Sequence, residues 1–358
     1  MNVLRKSLVW YAVCILLMSA APLLLSEFRL NLLGKFLAFA IVAFGICLIW
    51  GYTGILSLGH GVYFGLGAYC MAMYLKLEAT GGELPDFMGW SGIKDLPWFW
   101  KPFSSLSIAI VASILIPVIM AVILGYLTFK NRIRGVYFSI LSQALVIITV
   151  TLFIGKQEYT GGTNGLTNFS TLLGFELASA ETQRGIYWLT LAVLVLTFIF
   201  CKWLTDSRLG RVLIAIRDAE NRTRFSGFNP TAYKVFIYAV SAGLAGLAGV
   251  LFVMQVGIIS PAMMGIIPSI EMVLWVAVGG RHSLIGAVIG SVLTNGAKSL
   301  FSESYPDIWL VFLGLLFVII VLFLPNGLVG LVQNLWARIV NKKERGLKGG
   351  HESYSRVS

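Results

Sequence analysis

Ten stretches of this chain are apolar with almost no charge, and most approach the twenty or so residues of a helix that crosses a bilayer. They lie near 8–25, 32–50, 61–77, 105–129, 136–154, 186–204, 233–256, 268–280, 283–300 and 308–324. The stretches near 268–280 and 283–300 are short or poor in strongly apolar residues, so either suits a broken or re-entrant helix buried by its neighbours. Composition agrees. A soluble domain is about 45–50% apolar and about 25% charged. Here 58% of the 358 residues are hydrophobic and 12% are charged. That leaves too little polar surface for a water-facing exterior, which excludes a soluble enzyme, a nucleic-acid binder and a disordered scaffold. The fold class expected is all-α, a polytopic bundle of about ten membrane helices.

The net charge of +11 has a topological reading. If the segments alternate sides from a cytoplasmic start, 19 of the 27 Lys and Arg residues fall on the cytoplasmic side. Such a bias places both termini in the cytoplasm. Residues 1–332 form the expected membrane domain and 333–358 a basic cytoplasmic tail. Arg5 and Lys6 followed by an apolar run and Ser19-Ala20-Ala21 resemble a cleavable leader. The run continues through Leu25, however, which favours a retained first helix. Cys14, Cys47, Cys70 and Cys201 lie in separate apolar stretches, with only three histidines in the chain. No metal cluster, disulfide framework or cofactor is implied.

Small residues recur four apart inside the apolar runs: Gly61 and Gly65, Ala242 and Gly246, Ala245 and Gly249, Gly286 and Gly290. Each pair shares a helix face, where small side chains let membrane helices approach closely. The loop over 78–103 carries Trp90, Trp98, Phe99 and Trp100, which suits rings resting at headgroup level. Gly161-Gly162-Thr163-Asn164-Gly165 marks a turn-rich loop without the spacing of a phosphate-binding loop.

The longest polar insert, 205–234, reads as an amphipathic helix. Leu209, Val212, Leu213 and Ile216 recur at helical spacing among Arg208, Arg211 and Arg217. Asp206 or Ser207 suits its start and Gly227 its end. Such a helix lies on a lipid surface or docks on a cytoplasmic partner.

A few polar residues sit at membrane depth. Glu271 is the one carboxylate placed within a span, and there an unpaired charge is costly. It marks either a pathway or an anion held near a helix N-terminus, with Lys298 as a possible partner. His60 and Ser57 follow a break expected at Gly51 and Gly54, where free backbone groups meet polar cargo or satisfy one another. Ser142 and Gln143 are pathway candidates on the same terms, or hydrogen bonds between helices.

The motifs add a family resemblance. "SRLGRVLIAIRDAENRTRFSGFNPTAYK" followed by "AVSAGLAGLAGVLF" resembles the coupling loop of bacterial ABC-importer permeases of the branched-chain amino acid type. "GYTGILSLGHGVYFGLGAY" is similar to that family's first glycine-rich motif. "QVGIISP", "SIEMVLWVAVGGRHSLIGAVIGS", "NGAKSLF", "LPNGLVGL" and the outer "LPDFMGW…LPWFWKPF" resemble its urea-transport branch, in the M-type subunit. The resemblance covers about residues 30 to 332. It implies a bacterial inner-membrane permease subunit for urea or short-chain amides, with branched-chain or other amino acids as the alternative. It further implies a second, H-type membrane subunit, two cytoplasmic ATPases and a periplasmic binding protein, with no nucleic-acid partner. Within the coupling loop, 205–232, the residues implied to meet the ATPase are Arg208, Gly210, Arg211, Ala215, Arg217 and Gly227. Thr223 and His282 stand where relatives are expected to carry alanine and glycine. No Walker motif occurs in the chain, so ATP chemistry falls to a partner. A stand-alone channel or carrier needs no docking helix, and no residue set points to an intramembrane enzyme.

Overall fold

The computed structural model describes residues 18–304, 308–324 and 327–331. Most of the first apolar stretch, Cys14 and the basic tail 333–358 lie outside the described residues.

The later apolar stretches each carry a helix. In order these are α1 (Glu27–Ile46), α2 (His60–Ala79), α3 (Leu106–Lys130), α4 (Val136–Gly155) and α5 (Ala180–Asp206). Then come the amphipathic α6 (Arg208–Phe225), α7 (Pro230–Val256), α8 (Ile266–Gly279), α9 (Leu284–Ser304) and α10 (Trp309–Phe323). A six-residue π-helical turn, Cys47–Tyr52, extends α1. Strand structure among the described residues is limited to a hairpin of β1 (Thr171–Leu172) and β2 (Phe175–Glu176) and a bridge from Leu166 to Ile259.

Six of the described helices are long and apolar enough to cross a membrane unaided. These are α1 with its π turn, α3, α4, α5, α7 and α9. The other expected spans differ for physical reasons. Helix α2 has 20 residues, but tyrosines and glycines dilute its apolar character. Nearly all its side chains face protein, so it does not need a lipid-soluble surface. Helix α8 has 14 residues, about 21 Å of rise against a hydrocarbon core of about 30 Å. A short helix is tolerated where neighbours bury it, and Glu271 to Gly279 are all buried.

Helices α1 and α7 form the centre. In the most apolar 18-residue windows, 78% of α1 and 72% of α7 are buried, against 28% for each of α3 and α4. Helix α7 packs on α1, α2 and α3, while α8 and α9 close over α1. The outward faces of α3, α4 and α5 present Ile, Leu, Val and Phe side chains.

The small-residue faces lie where helices touch. A Cβ on Gly67 would enter the backbone of Gly246, and one on Gly246 would strike the Ser113 carbonyl. Ser113 donates to the Gly67 carbonyl at 2.9 Å, so α2, α3 and α7 meet at a single point. A Cβ on Gly286 or Gly290 would likewise enter α8. Cys47, Cys70 and Cys201 are free and buried. At one end of the bundle, Trp100 Nε1 donates to the Tyr159 carbonyl at 3.1 Å, tying the loop after α2 to the loop after α4. Trp90 and Trp98 remain exposed there.

Overpacking a tight contact costs about 1–3 kcal/mol or more. Gly246→Leu is therefore expected to lower the melting temperature of the purified protein by several degrees. Gly185→Ala on α5, where a Cβ meets open space, is expected to leave it unchanged. Equal melting temperatures for the two variants would contradict the triple contact.

Candidate functional site

Three groups of polar residues stand out against the apolar bundle. The first lines a cavity of ≈ 450 Å³ bounded by α1, α2, α7, α8 and α9. That volume falls within the range of about 300–1,000 Å³ common for small-molecule sites. Its charged lining is Lys35, Glu271 and Lys298. Lys298 Nζ donates to both carboxylate oxygens of Glu271 at 2.7 Å. The Glu271 side chain is 7% exposed and that of Lys298 39%, so the pair runs from the interior toward the mouth. Lys35 Nζ lies 5.8 Å from the Phe39 ring centre and 5.9 Å from that of Phe252. Aromatic faces stabilise such a cation by about 0.5–2 kcal/mol. Among the described residues, Lys35 makes no ion pair. Phe39 stacks on Trp275 at 4.7 Å and on Phe252 at 5.4 Å, and Phe64 meets Phe252 edge-on at 5.1 Å. One wall is thus aromatic, and the other carries two ammonium groups and one carboxylate.

The second group surrounds the break in the chain between the π turn and α2. Residues 54–59 are non-helical, with Gly54 at a φ of +71°. Their polar groups are taken up by neighbouring helices, as an apolar medium requires. The Leu58 amide donates to Ser142 Oγ at 2.9 Å, and Ser139 Oγ donates to the Leu56 carbonyl at 2.7 Å. The Gly61 amide donates to Ser269 Oγ at 3.1 Å. The fully buried His60 ring lies between Ser57 Oγ at 3.2 Å and Ser241 Oγ at 2.7 Å. Tyr63 and Tyr238, hydrogen-bonded to each other at 2.7 Å, meet that ring edge-on. Gln143 is half-buried on α4. Ser57, His60, Ser142 and Gln143 are therefore apart from Glu271, and none of them lines the cavity.

The third group holds α6. Ser207 Oγ accepts from the Leu209 amide at 3.1 Å and caps the helix. Gly227, at a φ of +87°, follows its end. The backbone kinks at Ala219, with φ −152° and ψ 67°. Glu220, just after the kink, accepts from Lys234 Nζ on α7 at 2.6 Å and Arg134 Nε beyond α3 at 3.2 Å. Arg224 Nη2 lies 3.8 Å from its other oxygen. The Glu220 side chain is 13% exposed. Arg217 also points inward. Its Nη1 donates to the Gly51 carbonyl at 2.6 Å and lies 3.2 Å from His282 Nδ1. Arg281 Nε approaches the other His282 nitrogen at 3.2 Å. Burial, then the charges of Arg217 and Arg281, hold the His282 pKa below its ordinary value. Gly210 is buried, because a Cβ there would strike the Thr205 carbonyl at the corner between α5 and α6. Arg208, Arg211, Ala215 and Gly227 are exposed. The residues grouped by sequence as one docking face thus divide into an outward set and the inward pair Gly210 and Arg217.

Lys35, Trp275 and the Glu220 cluster are absent from the sequence reading. The rule that singled out Glu271, a charge inside an apolar run, applies equally to Lys35. The Glu220 cluster has no such signal, since Glu220 lies 86 residues from Arg134 and 14 from Lys234, in no recognisable spacing.

Comparison with known proteins places this geometry in context. The chain matches the family model described as branched-chain amino acid transport system / permease component over residues 28–321. It is 25% identical over 337 residues to the high-affinity branched-chain amino acid transport system permease protein LivM of Salmonella typhimurium, across 88% of this chain and 73% of that one. It is 25% identical over 306 residues to the corresponding BraD protein of Pseudomonas aeruginosa, across 82% and 91% of the two chains. A ribose import permease, RbsC of Haemophilus influenzae, is 26% identical over 222 residues, across 56% and 66%. No solved structure matches the chain. With its family model covering most of its length, the chain belongs to the branched-chain amino acid transport permeases, a multi-pass inner-membrane transport subunit and not itself an enzyme.

Proposed function

We propose that the chain is one membrane half of an ATP-driven importer for branched-chain or related apolar amino acids. A second, H-type permease subunit completes the pathway, two ATPases act from the cytoplasm, and a periplasmic protein delivers the cargo. The end bearing α6 faces the cytoplasm, as do both termini.

The observation that supports this reading is the setting of α6. Its inner side is held by Glu220 to α7 and to the turn after α3, and by Arg217 to the π turn after α1. Its outer side offers Arg208, Arg211 and Ala215. A helix fixed to three elements on one side and free on the other is suited to pass a push from a docked ATPase into the bundle. A helix resting on lipid would not need that anchorage. Gly210 and Arg217 then serve as the internal seat of the helix, while Arg208, Arg211, Ala215 and Gly227 form the docking face.

The cargo class is supported by the relatives, whose names specify branched-chain amino acids. The cavity agrees, because two ammonium groups, a carboxylate and aromatic walls suit a zwitterion with an apolar side chain. The likeness of several motifs to the urea-transport branch is the second reading. Urea is neutral and planar, and it has no use for a charged lining, so the amino-acid reading is preferred.

Reconstituted vesicles holding the complete transporter and its binding protein test both parts. Labelled leucine is expected to accumulate with ATP and not with a hydrolysis-dead ATPase, while labelled urea does not accumulate. Accumulation without ATP hydrolysis would end the importer reading. ATP-driven urea uptake without leucine uptake would reverse the cargo assignment.

The histidine between Arg217 and Arg281 adds a pH dependence. With its pKa lowered in the fold, His282 contributes fully above its unfolded value of about 6.5 and loses that contribution as pH falls through the lowered value. Protonation would add a third positive charge beside two guanidinium groups, with Asp218 opposing it only in part. On going from about pH 7.5 to 5, the melting temperature of the assembled transporter is expected to drop further in the wild type than in His282→Asn. Equal drops would contradict the contact.

A further inference from the structure

The cavity at Glu271 has a feature that a merely structural ion pair does not need. A buried carboxylate is satisfied by one lysine, and Lys298 already donates to both of its oxygens. Lys35 brings a second ammonium into the same cavity, so the described lining residues carry two cations and one carboxylate. Placing a charge at membrane depth is costly and is the usual mark of a polar pathway. The remaining wall, Phe39, Phe64, Phe252 and Trp275, offers flat apolar surface directly beside those charges.

We propose that this cavity is a cargo site for an α-amino acid with an uncharged apolar side chain. The cargo carboxylate lies between Lys35 and Lys298, its ammonium meets Glu271, and its side chain rests on the Phe39, Phe252 and Trp275 rings. Insertion of a zwitterion into the Lys298–Glu271 contact exchanges one ion pair for two, and Lys35 supplies the extra charge that prefers the carboxylate end. An amine without the carboxylate, or an acid without the amine, would leave part of the lining unmatched. The assignment rests on the amino-acid reading above and names where that cargo sits in this subunit.

Trp275 lies in the cavity and reports on it. The measurement is the tryptophan fluorescence of the purified assembled transporter, without the binding protein, titrated with leucine, leucinamide, isovalerate and urea. Leucine is expected to give a saturable change that Trp275→Phe abolishes. Leucinamide and isovalerate are expected to need at least about tenfold higher concentration, since removal of one partner of a buried charge pair is costly. Urea is expected to give no change. Lys35→Gln is expected to raise the leucine midpoint at least about tenfold, and Lys35→Arg, which keeps the charge, to hold it within about threefold. A response to leucine that persists in Trp275→Phe would overturn the site. So would equal potency of leucine, leucinamide and isovalerate, a comparison made on the wild type that does not depend on any variant assembling. Leucine uptake by the same transporter in vesicles, with the binding protein and ATP supplied, separates the two readings. Uptake without a Trp275 response overturns the cavity assignment alone, and absence of leucine uptake overturns the amino-acid reading itself.

Discussion

A peptide group in hydrocarbon has no water to bond, and that constraint shapes this molecule throughout. Where the backbone is helical the ladder answers it. Where the chain breaks, over residues 54–59, hydroxyl groups from two other helices answer it instead. Ser139 and Ser142 on α4 and Ser269 on α8 reach the Leu56 carbonyl and the amides of Leu58 and Gly61. The same need fixes the buried His60 ring between two serine hydroxyls. Side chains that looked like cargo contacts are thus engaged in holding a broken helix. This engagement also joins α2, α4, α7 and α8 around the break, so a displacement of any one is felt by the rest.

The polar groups at the two ends divide the work. Near α6, charge serves attachment: Glu220 gathers cations from two other elements and from α6 itself, and Arg217 reaches the carbonyl where the π turn precedes the break. Breaking such a buried cluster by removal of one partner is far costlier than its net contribution, because the remaining charges stay desolvated. A helix seated in this way moves with the bundle. In the cavity, charge serves recognition, with two cations and one carboxylate among the described lining residues. A glycine-lined contact of α2, α3 and α7 tolerates little change in separation. Close packing of this kind transmits displacement because the interior resists compression.

Much of this was legible in the residues. The apolar stretches located the described helices, and the residue pattern over 205–234 located α6 with Ser207 as its cap and Gly227 beyond its end. Glu271 followed from the rarity of charge at depth, while the choice of Lys298 as its partner came from the packing of α8 on α9. Small residues four apart marked the contact faces of α2, α7 and α9. What was not legible depends on distant parts of the chain meeting. Lys35 is a lone lysine in an apolar run until five helices bring it beside Glu271. Gly210 reads as part of an exposed docking face, yet it is a close-approach residue under the Thr205 carbonyl. Arg217 shares the helical spacing of Arg211, yet the packing of the π turn and the α8–α9 turn against α6 draws it inward. The kink at Ala219 has no signal in composition, and it is what turns Glu220 toward Lys234. The span count also resists reading by length alone. Helices α2 and α8 are sheltered by protein and escape the demands that lipid places on α3 and α4.

In the proposed importer, α6 moves the bundle through Glu220. The number of ATP molecules hydrolysed for each leucine transported by Glu220→Gln measures it most directly. The ATPases are expected to remain bound and active while leucine uptake falls several-fold, so that the ratio rises. An unchanged ratio at wild-type uptake would show that force enters the membrane domain elsewhere.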